Sequence, residues 1–378
     1  MKRKILALLA GLLAAAPALA QRPGRAIGTV PRPPDSMQGR LLALATRESG
    51  LFNFFGHPTI LLMRFYFPVA TFLLAALSAG PCLGQAKSKA QAPVPVRRII
   101  DVHLHARNFD QYGPTPPPNP ISGRVPAYRS NAEVVALTLA ELKKYHVERA
   151  IISGTVARVS DFLAADPARF IGSLDYPNTS EPLPDTAAFR RLFAEGKFRV
   201  FGELGLQYEG QVLTDPALEP YLAICERRGI PVAVHTGLGF PGSPYSCCPK
   251  FRTGLGNPQL VEEVLVKHPK LKLQLMHMGY PHLAETKALL YIYPQLHADM
   301  AVMNWVMPRA EFYDYLKALI TAGYGQRLMY GSDQMAWPDA IGMSIESIEK
   351  APFLSEAQKQ DIFYNNAARF YGLKEARP

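Results

Sequence analysis

Six polar residues stand at the C-terminal ends of separate short apolar runs, and their types are those that bind divalent metals in hydrolytic enzymes. They are His103, His105, Glu203, His235, His277 and Asp333. Imidazole nitrogens and carboxylate oxygens are common zinc ligands, and a bound ion of this kind lowers the pKa of water to about 7. The six residues therefore predict a metal-dependent enzyme, provided that the fold brings them together.

The pair His103 and His105 has the spacing of a chelating site on a strand. Side chains two residues apart on a strand point to the same side, so both imidazoles can reach one ion. A His-x-His sequence is weak support by itself in a chain with nine histidines. Its position at the end of an apolar run favours the metal interpretation, whereas we expect His57, His146 and His268 on the surface and leave His282 and His297 unassigned.

The elements that must position these residues form an alternating pattern of strands and helices. Helix-like stretches separate most of the apolar runs, and this alternation is typical of a parallel sheet covered by helices. The predicted strands are residues 98–105, 147–154, 169–177, 200–208, 230–237, 271–279, 296–303 and 327–335, and the predicted helices include 131–145, 185–195, 216–228, 258–268 and 310–322.

Eight such units predict the α/β class and a closed (β/α)8 TIM barrel. A barrel of this kind takes ~250 residues, and its active site lies at the C-terminal ends of the strands. We assign residues 96–375 to this single catalytic domain, which an N-terminal leader precedes. An open doubly wound sheet remains the structural alternative, because periodicity alone does not show that a sheet closes.

The leader contains two segments that resemble export signals. Residues 1–20 have a basic start, an apolar run and a small-x-small end, and residues 63–84 repeat that layout. We predict that residues 1–62 are an upstream extension, that 63–84 are a signal peptide and that 85–95 are a linker. The enzyme would then be exported, periplasmic or secreted. The alternative is a retained membrane anchor, but the second apolar run is shorter than the ~20 residues of a span and contains Pro68 and Pro81.

Charge and cysteine content exclude two other classes of site. The chain has a formal charge of +10, but residues 1–95 hold 11 Lys and Arg against two acids, which leaves 30 against 29 in the remainder. We therefore expect no nucleic-acid partner. We further expect a small-molecule substrate and no stable membrane span in the mature chain, and we leave a homo-oligomer open.

Cys247 and Cys248 are adjacent, so they could form a vicinal disulfide, but we favour free thiols. No Cys-x-x-Cys supports a cysteine zinc site.

Several short motifs in one order resemble the amidohydrolase superfamily, in particular its amidohydrolase-related family of metal-dependent barrel enzymes. The resemblance covers residues 98–373. Its motifs are Gly256-Asn257-Pro258, His268-Pro269, the run 276–281, Tyr330-Gly331-Ser332-Asp333 and the run 365–369. It implies that His103, His105, His235 and Asp333 are metal ligands and that His277 either binds a second metal or transfers a proton.

Glu203 decides between one metal and two. Residues 202–208 are similar to the Gly-Glu-x-Gly-Leu-Asp-Tyr run of TatD-type hydrolases, in which the glutamate bridges two metals, although Gln207 replaces the aspartate here. A bridging Glu203 would indicate a binuclear, hydrolytic site. If Glu203 is instead an ion-paired carboxylate of the barrel, a mononuclear site allows decarboxylation as well.

The resemblance leads us to expect a hydrolase of an ester, lactone or amide bond in a small substrate, with a cyclic or aromatic one weakly favoured. The cofactor would be a divalent metal, zinc or a similar ion, at one or two ions per chain. Asp333 would accept the proton of the attacking water and His277 would stabilise the oxyanion. The alternative is a metal-dependent decarboxylase of a small aromatic or unsaturated acid, in which both residues deliver a proton. A binding protein without activity is a third hypothesis.

Two residues near the predicted site are candidates for substrate binding. Arg107 directly follows the first ligand pair and could meet an anionic group, and Trp337 lies on a loop at the same barrel end. The loop 107–129 is rich in proline, which indicates a stiff lid. Phe240, Tyr245 and Trp305 could add apolar walls.

Overall fold

Eight parallel strands form one sheet in the order of the sequence, and each strand pairs with the next. The structure is a computed structural model that describes residues 97–177 and 182–373. The strands are β1 (Ile99–His105), β2 (Val147–Gly154), β3 (Phe170–Tyr176), β4 (Phe198–Leu204), β5 (Val232–Val234), β6 (Leu273–Leu275), β7 (Leu296–Asp299) and β8 (Leu328–Met329). The positions of the eight predicted strands and the TIM-barrel architecture are confirmed, although several regular strands are shorter than predicted.

The sheet closes between β1 and the segment that follows β8. The amide of Val102 donates to the carbonyl of Tyr330 at 3.1 Å, and the amide of Asp333 donates to the carbonyl of His103 at 2.8 Å. These bonds cross from the first strand to the last, so the open-sheet alternative is wrong.

Side chains replace part of the backbone ladder at this closing seam. The Asp101 carboxylate accepts the amide of Ser332 at 3.0 Å. The Gln334 side chain accepts the amide of His105 at 3.0 Å and donates to the carbonyl of His105 at 2.8 Å. A regular strand is therefore shorter here than the sequence predicts, because side-chain amide and carboxylate groups satisfy the backbone.

Helices cover the outside of the barrel and close its lower end. They are α1 (Asn131–Lys144), α2 (Val156–Ala165), α3 (Thr186–Ala194), α4 (Glu219–Arg228), α5 (Ser243–Ser246), α6 (Glu262–Lys267), α7 (Leu283–Ile292), α8 (Met303–Val306), α9 (Arg309–Thr321), α10 (Ala340–Glu349), α11 (Glu356–Gln360) and α12 (Asn366–Tyr371). The five predicted helices are confirmed within a few residues. Side-chain caps explain several starts: Ser130 accepts the amide of Glu133, and Asp185 accepts those of Ala187 and Ala188.

Two apolar clusters hold these layers together. The larger one lies between strands and helices and includes Phe162, Phe189 and Phe201, all fully buried. The smaller one lies inside the barrel, where Ile100 and Met329 meet side chains of α12. Burial of each large side chain contributes about 1.5–3 kcal/mol. The helix α12 thus acts as a plug at the end opposite to the predicted site.

Two predictions on individual residues are wrong. Cys247 and Cys248 form a disulfide with each other, whereas we favoured thiols, and Cys225 is a buried free thiol. His268 is buried at 4% exposure instead of lying on the surface, because its two ring nitrogens pair with Glu226 at 3.0 Å and Glu219 at 3.3 Å. His146 is exposed, as predicted.

The predicted extension, signal peptide and linker lie outside the described residues, so those predictions stay open. Among residues 97–177 and 182–373, no helix combines the length and the apolar character needed to cross a membrane.

Candidate metal centre

The structure brings all six predicted residues together at the C-terminal end of the barrel. β1 ends in His103 and His105, Glu203 is the penultimate residue of β4, and the others follow the ends of β5, β6 and β8. All six are buried; they are His103, His105, Glu203, His235, His277 and Asp333. Residues far apart in the sequence thus meet because parallel strands present their C-terminal ends at the same rim.

One oxygen of Glu203 faces the pair from β1. Its Oε2 lies 3.2 Å from Nε2 of His105 and 3.5 Å from Nε2 of His103. Asp333 approaches the same pair from the other side, with Oδ1 at 3.0 Å from Nε2 of His105 and 3.9 Å from Nε2 of His103. Two imidazoles and two carboxylates therefore converge on one point.

The other oxygen of Glu203 faces a second pair of histidines. Its Oε1 lies 2.6 Å from Nδ1 of His235 and 3.6 Å from Nε2 of His277. The two rings also approach each other, with Nε2 of His277 at 3.1 Å from Nδ1 of His235. Glu203 thus stands between two histidine pairs and presents one oxygen to each.

The donor atoms fit a divalent ion in spacing and in kind. Ligands at 2.0–2.2 Å from a tetrahedral zinc ion are separated by about 3.4 Å, which is within the range of the distances above. Three overlapping groups have all ligand atoms within 4.8 Å of one another: His103, His277 and Asp333; His103, His105 and Glu203; and Glu203, His235 and His277. Nε2 of His103, Nε2 of His235 and Oδ1 of Asp333 are buried without a hydrogen-bond partner, which is costly unless a ligand binds them.

The backbone is left-handed at two of these residues. Asp333 has a φ of 48° and His277 a φ of 62°. Side chains other than glycine rarely adopt this region, and its cost is tolerated mainly at functional sites. The turn after each strand thereby directs the polar side chain toward the barrel axis.

Electrostatics favour ionised carboxylates beside the histidines. Burial alone would raise the pKa of Glu203, but the four imidazoles around its carboxylate outweigh burial and hold the pKa well below its usual value. Burial likewise opposes ionisation of Asp333, and the positive field of His103 and His105 lowers its pKa nonetheless. Anionic carboxylates are the forms that bind cations.

Three buried aspartates at the same rim were not found from the sequence. Asp101, Asp175 and Asp299 are at most 3% exposed. Asp175 and Asp299 stand near or at the C-terminal ends of β3 and β7, so the rule that identified the six ligands could have found them. Burial raises the pKa of Asp175 to about 6, against the effect of Arg107.

Arg107 lies beside Asp175 at the rim, without a tight ion pair. Its Nη1 is 4.0 Å from Oδ2 of Asp175, and its side chain is 15% exposed. Within the described residues, Nε of Arg107 and both carboxylate oxygens of Asp175 have no hydrogen-bond partner. Donors and acceptors are thus left for a polar ligand. The role of Arg107 in substrate binding stays a prediction.

Trp337 holds the proline-rich loop in place. Its indole N–H donates to the carbonyl of Pro117 at 2.9 Å, and its ring packs at 6.0 Å from that of Trp305. Asp339 accepts hydrogen bonds from Asn119 at 3.1 Å and Ser122 at 2.6 Å. The loop is therefore docked on the segment after β8, and a contact of Trp337 with substrate stays a prediction. Tyr245, at 95% exposure, does not form a wall of the site.

A protein-family model described as Amidohydrolase matches residues 100–373. Similar solved structures include an uncharacterised TIM-barrel protein of Bordetella bronchiseptica, which is 20% identical with a TM-score of 0.53, over 73% of this chain and 98% of that one. A Pseudomonas putida protein assigned as a 2-pyrone-4,6-dicarboxylic acid hydrolase is 18% identical with a TM-score of 0.52, over 75% and 100%. 5-Carboxyvanillate decarboxylase of Sphingomonas paucimobilis is 16% identical with a TM-score of 0.51, over 73% and 99%.

Among curated proteins, the chain is similar to Protein fluG of Emericella nidulans. The two are 21% identical over 163 residues, which are 39% of this chain and 18% of that protein. The chain therefore covers less than a fifth of that relative. At these identities the similar structures establish the fold, and the family match extends over nearly all of the described barrel.

Proposed function

The chain belongs to the amidohydrolase family, and from that premise we propose that it is a metal-dependent hydrolase of an ester, lactone or amide bond in a small substrate. We further propose that it is exported and that it holds two divalent ions, with zinc favoured by the histidine and carboxylate donors. Enzymes of similar fold include a hydrolase and a decarboxylase, so the choice between them depends on the site itself.

The observation that carries the proposal is the position of Glu203 between the two histidine pairs. A carboxylate whose two oxygens face different sets of ligands can bridge two cations and offset their repulsion. His103, His105 and Asp333 would complete the first site, and His235 and His277 the second. Two adjacent ions are typical of hydrolytic centres, in which one assists the attacking oxygen and the other the leaving oxygen.

The residues of the chain then have separate roles. A bound ion supplies Lewis acidity and makes water nucleophilic near neutral pH. Asp333 accepts the proton of the attacking water and returns it to the leaving group, since its carboxylate lies beside the ligand atoms of His105. Arg107 orients a polar or anionic group of the substrate, and Asp175 accepts a hydrogen bond from it. Trp337 holds the loop 107–129 in place through Pro117.

The experiment that tests the proposal combines metal content with a substrate panel. The protein is purified without chelator, reconstituted with Zn²⁺, and assayed against lactones, aryl esters and hydroxybenzoates. We expect about two ions per chain and hydrolysis of a lactone or an ester. Glu203→Gln should retain one ion and lose most of the activity, and excess metal should restore part of it. Gln326→Ala, an exposed change far from the site, is the control.

The opposite results would support the alternative function. One ion per chain, unchanged occupancy and rate in Glu203→Gln, and release of carbon dioxide from a hydroxybenzoate would overturn the hydrolase proposal in favour of a decarboxylase. A folded protein that binds no metal would overturn both.

A further inference from the structure

A buried carboxylate that belongs to neither histidine pair contacts both of them. Asp299 is the last residue of β7 and is fully buried. Its two oxygens have different partners, one set on each side of the candidate metal centre. Asp299 is not one of the six candidate ligands, and the proposed hydrolysis assigns it no role.

The first contact is with the ring of His103. Oδ2 of Asp299 lies 3.4 Å from Nδ1 of His103, the nitrogen that faces away from Glu203 and Asp333, which is an electrostatic contact without the alignment of a hydrogen bond. A carboxylate on that nitrogen favours the tautomer with its proton at Nδ1, which leaves the lone pair of Nε2 for a metal. Asp299 therefore orients the ring of His103 from the side that faces away from the candidate metal centre.

The second contact is with the turn that carries His277. Oδ1 of Asp299 accepts the amide of His277 at 3.2 Å and the amide of Ala301 at 2.9 Å. The carbonyl of Ala301 in turn accepts Nδ1–H of His277 at 2.9 Å. Asp299 thus fixes the backbone of His277 directly and its ring through Ala301, and Nε2 of His277 is again left facing Glu203.

Asp299 is itself held from inside the barrel. Gln274 donates from Nε2 to Oδ2 of Asp299 at 2.5 Å, and the hydroxyl of Tyr371 donates to Oε1 of Gln274. Gln274 is on β6 and Tyr371 ends α12, the plug at the opposite end of the barrel. A continuous buried chain of hydrogen bonds therefore joins the last helix to the rim.

We propose that Asp299 is the positioning residue that aligns one histidine of each pair, and that Gln274 and Tyr371 keep its carboxylate in place. The proposal rests on the metal centre of the proposed function. Alignment of His103 and His277 by one rigid group would fix the separation of the two sites. Replacement of a residue that contacts a metal ligand on the side away from the metal typically lowers metal affinity by 10–100-fold.

The test is the metal affinity of Asp299→Asn, measured by competition with a chromophoric chelator on the apo-protein. Asparagine keeps the size of the side chain and can still accept the amides of His277 and Ala301. Its NH₂ group, however, would then take the place of Oδ2 and face both His103 and Gln274. Facing His103 it would favour the tautomer with the proton on Nε2, which cannot bind a metal there. We expect the affinity for Zn²⁺ to fall by about 10–100-fold.

Asp101→Asn is the matched control. Asp101 is also a fully buried aspartate beside His103, but it accepts the backbone amide of His103 and does not contact its ring. Both variants should lose thermal stability, whereas only Asp299→Asn should lose metal affinity and shift the visible spectrum of the cobalt-substituted protein. Tyr371→Phe should shift both readouts in the same direction by less.

The outcomes separate this proposal from the proposed function. Wild-type protein with two ions, together with an unchanged affinity and cobalt spectrum in Asp299→Asn, would overturn the positioning role alone. An equal loss of affinity in Asp101→Asn would also overturn it. A wild-type protein without metal would remove both proposals. If Asp299→Asn does not fold, Tyr371→Phe decides: wild-type affinity and spectrum in that variant would contradict the chain of hydrogen bonds.

Discussion

Asp333 serves the fold and the chemistry with different atoms of one residue. Its amide donates to the carbonyl of His103 and closes the barrel, while its carboxylate approaches His105. A left-handed backbone makes both contacts possible at once. A substitution that keeps the shape of the side chain should therefore spare the barrel and affect only the proton transfer.

We predict that Asp333→Asn folds, retains part of its metal and loses about 10²- to 10⁴-fold in kcat, the usual contribution of positioned acid-base catalysis. An amide can still offer an oxygen to a cation but cannot accept the proton. Steady-state kinetics on the reconstituted variant, with metal content and Tm measured in parallel, check the prediction. Near-normal turnover would mean that Asp333 has a structural role only.

Residue type and place were enough to predict the six candidate ligands, but not their partners. His103 and His277 were recognisable because histidine is rare and each follows an apolar run. Asp299 follows such a run too, yet an aspartate there is equally common as a cap or a turn residue. Only the burial of Asp299 and its contact with the ring of His103 reveal its position. The vicinal disulfide was missed because adjacency alone does not show which side chains meet.

At the scale of elements, the strand positions were predictable and the end of β8 was not. The apolar run 327–335 predicts a long strand, whereas the regular strand is Leu328–Met329. Beyond it the chain turns left-handed at Asp333 and Met335, and Gln334 satisfies the backbone of His105 with its side chain. Whether a side chain takes the place of a backbone hydrogen bond of the sheet depends on tertiary geometry. The periodicity of apolar residues in the sequence does not predict that geometry.

We therefore predict that Gln334→Ala lowers the free energy of unfolding by about 2–6 kcal/mol, because two buried groups of His105 lose their partners at about 1–3 kcal/mol each. Metal affinity should fall as well, since His105 is a candidate ligand. Denaturant unfolding of the apo-protein measures the first effect. Gln326→Ala, which changes an exposed side chain, should stay within about 0.5 kcal/mol of wild type. Equal stability of the two variants would contradict this role of Gln334.

At the scale of the whole molecule, charge separates the barrel from what precedes it. Nine of the ten net positive charges lie in residues 1–95, so the catalytic part is nearly neutral. A neutral barrel with a buried polar rim suits a small substrate better than a polyanion. The positive charge of residues 1–95 is consistent with the proposed export, since signal peptides begin with positive charge.

We predict that the mature protein begins near Gln85 when the full sequence is expressed in a bacterium that exports it. Arg64, the apolar run after it and the small residues before Gln85 would form the proposed signal. Intact mass and N-terminal peptide mapping of the exported fraction check this. Leu74→Arg, which interrupts the apolar run, should retain the protein in the cell. Exported protein that still contains residues 21–62 would show that the first signal is the one in use.

Hydrogen exchange at the seam between β1 and β8 would report how often the barrel opens there. The amides of Val102 and Asp333 are bonded across that seam, to Tyr330 and His103. They can exchange their hydrogen for deuterium only when the two edges separate. His103 and Asp333 lie on the two edges. A cation bound to both would have to leave, or its bonds to them would have to lengthen, before the edges separate. The exchange rates of these two amides would thus follow the residence of the ion, and could be read without any substrate.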